Sequence, residues 1–62
     1  MTTIVLESRF EGVPFGVFRI NEGPHAGKYR AFIQPFGIQT SIQDTIGKAV
    51  DRAIVNITKQ IN

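Results

Sequence analysis

The chain has 62 residues, with no cysteine and a single histidine. A chain of this size makes one small domain, which we place at residues 1–62, and it has neither disulfides nor a cysteine-based zinc site to stabilise it. Seven Lys and Arg stand against five Asp and Glu, and the net charge of +2 permits an anionic partner without requiring one. A hydrophobic fraction of 42% excludes a disordered tail and is typical of a folded domain.

The beginning of the chain, MTTIVLESRF, does not have the basic region and long apolar run of a secretory signal. No later apolar run approaches the roughly 18 residues that a membrane span needs. Together with the lack of cysteine, these observations lead us to expect a cytoplasmic protein that does not contact a membrane.

Alternating apolar residues predict three strands in the first half of the chain. The predicted strands are residues 4–11 (IVLESRFE), Phe15–Asn21 (FGVFRIN) and Lys28–Gln34 (KYRAFIQ). Pro14 separates the first two, because proline cannot donate to a strand ladder. The Gly- and Pro-rich stretch EGPHAG predicts a turn between the second and third strands.

From Thr40 the apolar period changes to that of a helix, which we expect to run to the chain end. Thr40 with Gln43, or Ser41 with Asp44, has the spacing of a helix-capping pair. The apolar stripe of the predicted helix comprises Ile42, Ile46, Ala49, Val50, Ala53, Ile54, Ile57 and Ile61. The order β-β-β-α predicts the α+β class: a three-stranded antiparallel meander followed by one long C-terminal helix packed across one sheet face.

The apolar stripe of the helix has to cover one face of the sheet. We assign to that covered face Ile4, Leu6, Phe10, Gly16, Phe18, Ile20, Tyr29, Ala31 and Ile33. The open face then carries the candidate binding residues, which are Arg9, Phe15, Val17, Arg19, Lys28, Arg30 and Phe32. The opposite parity of the second strand, with Phe15 and Val17 inward and Phe18 and Ile20 outward, remains an alternative.

Features of an enzyme are weak in this sequence. The chain lacks a cysteine nucleophile, and its one histidine, His25, falls in the Gly- and Pro-rich turn. None of the five acidic residues has a partner at a spacing that suggests a metal site or an acid–base couple. We therefore expect a protein without catalytic activity, metal or small-molecule cofactor.

The open face admits two kinds of partner. Aromatic side chains and arginines are enriched at protein interfaces, where they act as anchors. Aromatics among basic residues also stack on bases while the charges hold phosphates, but Glu7 and Glu11 on this face repel phosphate.

We therefore predict a small non-catalytic binding module of the protein-interaction, regulatory or inhibitor type. It would use the open sheet face for self-association, as a homodimer or higher oligomer, or for partner capture. Its size suggests that a phage or mobile element could encode it. The alternative is a DNA- or RNA-binding module that uses the basic and aromatic side chains of the same face.

Parts of the chain resemble known families. EGPHAGKY resembles the KOW motif of ribosome- and transcription-associated proteins, GP-x-x-G between two strands. The strand–strand–strand–helix order resembles the DNA-binding domains of plant ethylene-response factors and the arm-binding domains of phage-type integrases, which implies a sheet face that reads DNA. IQTSIQDTIGKAVDRAI is similar to the end of the HicB-type antitoxin domain. The chain lacks the strand Trp and the dense Arg of the plant domains.

Overall fold

The computed structural model describes residues 2–62 and has one antiparallel sheet followed by a C-terminal helix packed on it. The elements are β1 (Thr2–Phe10), β2 (Val13–Ile20), β3 (Tyr29–Ile33), a short 3-10 helix (Gln34–Phe36), β4 (Ile38–Gln39) and α1 (Ile46–Ile61). The predicted α+β class is confirmed. The sheet has four strands in the order β1-β2-β3-β4, and not the three expected, because β4 has two residues and is too short to show a period.

A two-residue turn joins β1 to β2. Glu11 and Gly12 both have positive φ, 52° and 78°, as a type I′ hairpin turn requires. Pro14 therefore lies inside β2, opposite Arg9. The prediction that Pro14 precedes the second strand is wrong. The missing N–H of Pro14 leaves no ladder bond unmade, because β3 pairs with β2 only from Gly16 onward.

β1 contains a bulge between Ile4 and Leu6. Side chains alternate between the two faces of a strand with a period of two. The extra residue of the bulge therefore reverses this alternation, and residues before and after it that would share a face point to opposite faces. Leu6 and Phe10 pack against the core as predicted, whereas Ile4 is 66% exposed and pairs with Phe18 on the opposite face. The prediction that Ile4 shares a face with Leu6 is therefore wrong.

β2 has the alternative parity, with Phe15 and Val17 turned toward the helix. Val17 is fully buried and stands opposite buried Ala31, while Phe15 is 5% exposed. The preferred assignment, which put Phe18 and Ile20 inside, is wrong. The physical reason is the register: Ala31 and Ile33 on β3 do face the core as predicted, and antiparallel pairing sets Val17 on the same face as Ala31.

The turn between β2 and β3 lies where EGPHAG predicts it. Gly27 donates a backbone hydrogen bond to Ile20 O at 2.8 Å, and Lys28 donates to His25 O at 3.1 Å. Gly23 and Gly27 both have positive φ, a conformation that glycine adopts readily, which explains why glycine occupies both positions of the turn.

α1 begins at Ile46 and its N-cap is Thr45, which lies five residues after Thr40 and four after Ser41, the two predicted caps. Thr40 and Gln43, the predicted capping pair, lie alongside β3: Thr40 N–H donates to Ala31 O, and Gln43 exchanges two backbone hydrogen bonds with Tyr29. The helix packs mainly on β3 and also on β2, through a buried line of Ala49, Ala53 and Ile57. The two alanines let the helix backbone approach the sheet, so the bulk of the core comes from the strands.

Candidate functional site

The sheet face opposite α1, called here the outer face, is not covered by any other part of residues 2–62. The strand register places on it Ile4, Glu7, Arg9, Pro14, Gly16, Phe18, Ile20, Arg30, Phe32 and Gln39. Its members form cross-strand rows, in which side chains directly opposite one another lie about 5 Å apart at Cβ. The outer face therefore presents one continuous surface of apolar and charged groups.

Its apolar part runs along one diagonal of the sheet. Ile4 stands opposite Phe18, and Phe18 in turn stands opposite Arg30. Phe32 lies in the next row, opposite Gly16. Phe18 and Phe32 are half-buried, because neighbouring side chains shield part of each ring, whereas Ile4 is largely exposed.

A hollow of about 610 Å³ opens at Gly16. Glu7 and Phe32 flank the glycine across the two neighbouring strands, and Arg9, Pro14 and Gln34 complete the lining on this face. Gly16 does not have a positive φ, and an added Cβ would meet only Leu6 O, at 3.6 Å. The backbone therefore does not require glycine here, and the absent side chain leaves space that adds to the hollow.

Arg30 is held in place on the outer face, opposite Phe18. Its Nη1 donates to Oε1 of Gln39 at 3.1 Å, which fixes the guanidinium over β4. Its Nε is buried and has no hydrogen-bond partner among the described residues. A buried donor without a partner is uncommon in native structures.

The fold brings together only part of the predicted binding set. Arg9, Arg30 and Phe32 lie on the outer face as predicted. Phe15 and Val17 do not, because both side chains are in the core, and no partner reaches them in the folded chain.

The other two predicted cations are engaged elsewhere. Arg19 pairs with Tyr29 on the helix side of the sheet, and its Nε donates to Oδ1 of Asn21 at 3.2 Å. Lys28 Nζ donates to Oδ1 of Asp44 at 2.7 Å. This hydrogen bond and the charge of Lys28 lower the pKa of the exposed Asp44 carboxyl below its usual 3.8.

Six outer-face residues were not predicted from the sequence: Ile4, Pro14, Gly16, Phe18, Ile20 and Gln39. The signal for Phe18 and Ile20 was present in the sequence, as the alternative parity of the second strand. Nothing in the local pattern indicates the bulge that turns Ile4 outward. Pro14 was taken as a strand breaker and not as a member of β2.

Within residues 2–62, no three His, Asp or Glu side chains are grouped so as to hold a metal ion. No described helix is long and apolar enough to cross a membrane. The buried polar side chain of Thr40 has a structural role, because its hydroxyl accepts from Ala31 N–H and donates to Ser41 O.

No protein-family model, curated protein or solved structure matches this chain. The partial resemblances to KOW, ethylene-response, integrase and HicB-type domains therefore gain no support from these comparisons. The fold places the chain in the α+β class. It is a four-stranded antiparallel sheet with one face under a helix and the other face open.

Proposed function

We propose that this chain is a small non-catalytic binding module that takes a protein partner on its outer face. The observation that carries the proposal is the combination of Ile4, Phe18 and Phe32 with a few charges of both signs. Aromatic and arginine side chains around an apolar centre are the usual composition of a protein-binding surface. A solvated sheet face instead carries mostly polar side chains.

Charge favours a protein over a nucleic acid. Of the four cations expected on this face, Arg9 and Arg30 lie there, whereas Arg19 is on the other side and Lys28 is paired with Asp44. Glu7 lies beside the hollow and repels phosphate. Two cations and one carboxylate make few of the phosphate contacts on which nucleic-acid affinity depends.

Two features of the face suit a protein partner. The hollow at Gly16 accepts a side chain of the partner, and the exposed guanidinium of Arg9, which lines the hollow, donates to a carbonyl or carboxylate oxygen. We further propose that the module works in the cytoplasm as a regulator or inhibitor, and that its binding blocks a surface of the protein it captures.

The experiment is a pull-down with the purified chain and its Phe32→Ser and Phe18→Ser variants, followed by identification of the captured protein. Val55→Ser is the matched control, because Val55 is an exposed apolar residue on the helix, away from the sheet. We expect wild type and Val55→Ser to capture the same protein and the two Phe variants to lose it, with circular dichroism showing that all four are folded.

A gel-shift assay tests the nucleic-acid alternative. We expect no shift of labelled DNA or RNA at low salt. A shift that weakens steeply as salt rises, together with loss of the shift in Arg9→Ala and Arg30→Ala, would instead establish the nucleic-acid module.

A further inference from the structure

β1 is an edge strand whose outer side is open for pairing. It has nine residues, pairs only with β2, and contains neither Pro nor Lys, the residues that commonly protect an edge. The opposite edge, β4, has only two residues. The helix lies mainly over β3 and β2, and Leu6 and Phe10 of β1 remain only half-buried at the margin of the core.

The hairpin geometry decides which backbone groups of β1 point outward. Phe10 and Val13 close a two-residue turn, and such a closing pair is hydrogen-bonded. Bonded and non-bonded pairs alternate along an antiparallel ladder, so Ser8 bonds to Phe15 while Glu7 and Arg9 do not bond to β2. The N–H and C=O groups of Glu7 and Arg9 are therefore directed to the open edge.

We propose that two copies of this chain pair antiparallel through β1, with the twofold axis at Ser8, to form one continuous sheet. This register sets Glu7 opposite the partner's Arg9, so that each such pair exchanges two backbone hydrogen bonds between groups already directed outward. The paired side chains carry opposite charges and lie on the outer face. On the other face, Leu6 lies opposite the partner's Phe10.

Neighbouring registers use the same backbone groups but place like charges together. An axis at Glu7 opposes the two Glu7 carboxylates, and an axis at Arg9 opposes the two guanidiniums. In the register with the axis at Ser8, the two Ser8 residues form a non-hydrogen-bonded pair, in which the side chains come closest. Two small hydroxyl side chains fit this short separation. The sequence of β1 is therefore self-complementary about Ser8.

The assembly closes at two copies. A twofold axis uses β1 of both copies, and the edges that remain are the short β4 strands. The twofold axis is perpendicular to the sheet, so both helices lie on the same side and the two outer faces join into one surface. Pairing through β1 is independent of which protein binds the outer face.

Solution mass tests the pairing in the full chain by sedimentation velocity over a range of concentration. An interface of one strand pair is small, so we expect a reversible dimer with a dissociation constant in the micromolar range. Glu7→Arg and Arg9→Glu each set like charges opposite one another, and we expect about tenfold or more weaker dimerisation in each. Arg52→Glu on the exposed helix surface is the matched charge control, expected to dimerise as wild type does.

A mixture of the Glu7→Arg and Arg9→Glu variants is the decisive sample. One chain then presents two cations and the other two anions, so we expect a heterodimer at least as tight as the wild-type dimer. A wild-type chain that remains monomeric at about 1 mM, or a mixture that does not associate, overturns the proposal.

Two further measurements separate this pairing from other modes of association. Amide hydrogen exchange at Glu7 and Arg9 should slow as the dimer forms. Phe32→Ser, which changes the outer face away from β1, should leave the mass unchanged, and loss of the dimer in that variant assigns self-association to the outer face instead.

Discussion

The hydroxyl oxygen of Thr40 accepts a hydrogen bond from the buried amide of Ala31 at 3.0 Å. Thr40 N–H donates in return to Ala31 O at 2.9 Å, so the side chain takes the place that the Thr40 carbonyl has in a regular ladder. The pairing of β3 then shifts by one residue between β4 and Gln43, which lies opposite Tyr29. Thr40 therefore ends the regular pairing of β4 with β3 and does not cap the helix.

Removing the Thr40 hydroxyl should destabilise the fold. In Thr40→Val the amide of Ala31 remains buried without its acceptor, and we expect the free energy of unfolding to fall by about 1–3 kcal/mol. Thr40→Ser keeps the hydroxyl acceptor, and we expect its free energy of unfolding to fall by less than that of Thr40→Val. Urea denaturation followed by circular dichroism measures both, and equal losses in the two variants would contradict this role.

The N-terminus of the helix depends on Thr45, whose side chain accepts from Lys48 N–H at 3.2 Å. We expect Thr45→Ala to lower the free energy of unfolding by about 1 kcal/mol. Thr45→Ser keeps a capping hydroxyl and should lower the free energy of unfolding by much less. Ser41→Ala is the comparison, because Ser41 is exposed and lies outside the helix. A larger loss for Ser41→Ala than for Thr45→Ala in thermal denaturation would place the cap where the sequence pattern had it.

Glu11 adopts a left-handed conformation that a Glu side chain disfavours. Asn tolerates this conformation and precedes Gly in the preferred type I′ turn, so we expect Glu11→Asn to raise the free energy of unfolding by about 0.5–1 kcal/mol. Glu11→Gln removes the same charge without relieving the backbone, and it should give no gain. The same denaturation experiment compares the two, and an equal gain in both would assign the effect to charge.

Filling the hollow at Gly16 should separate binding from stability. An added side chain meets only Leu6 O at an ordinary contact distance, and glycine in a strand interior is unfavourable by about 0.5–1 kcal/mol. We therefore expect Gly16→Val to keep or raise the free energy of unfolding while capture of the partner is lost. Gly47→Ala, in the first turn of α1, is the control and should leave capture unchanged. Full capture by Gly16→Val would show that the hollow is not used.

The Lys28–Asp44 pair should make a small, pH-dependent contribution to stability. The pKa of Asp44 is lowered in the fold, so the pair stabilises above the usual carboxyl value of 3.8 and is lost as pH falls below it. An NMR titration should show this pKa returning toward 3.8 in Lys28→Met and moving less in Lys48→Met, because Lys48 makes a weaker, longer-range contribution. Added salt should weaken the effect, since both side chains are well exposed to solvent. An unchanged Asp44 pKa in Lys28→Met would refute the pairing.

The candidate site was predictable only in part, and the reason is the period of a strand. Arg30 and Phe32 lie on the outer face as the alternation of β3 predicts, because β3 has no irregularity between Tyr29 and Ile33. Phe15 and Val17 were assigned to the wrong side, since a strand with apolar residues on both faces does not reveal which face is covered. Ile4 was misassigned because the bulge after it moves one residue out of register.

Local sequence patterns are sufficient to predict the α+β class, because alternating residues make strands, a 3.6-residue period makes the C-terminal helix, and glycines mark the turn between β2 and β3. The faces of β2, the bulge in β1 and the N-cap of the helix at Thr45 depend on contacts between elements that are distant in the chain. Thr40 and Thr45 both satisfy local rules for a cap. The choice between them depends on the backbone groups of Tyr29 and Ala31, which need partners that only the adjacent chain supplies.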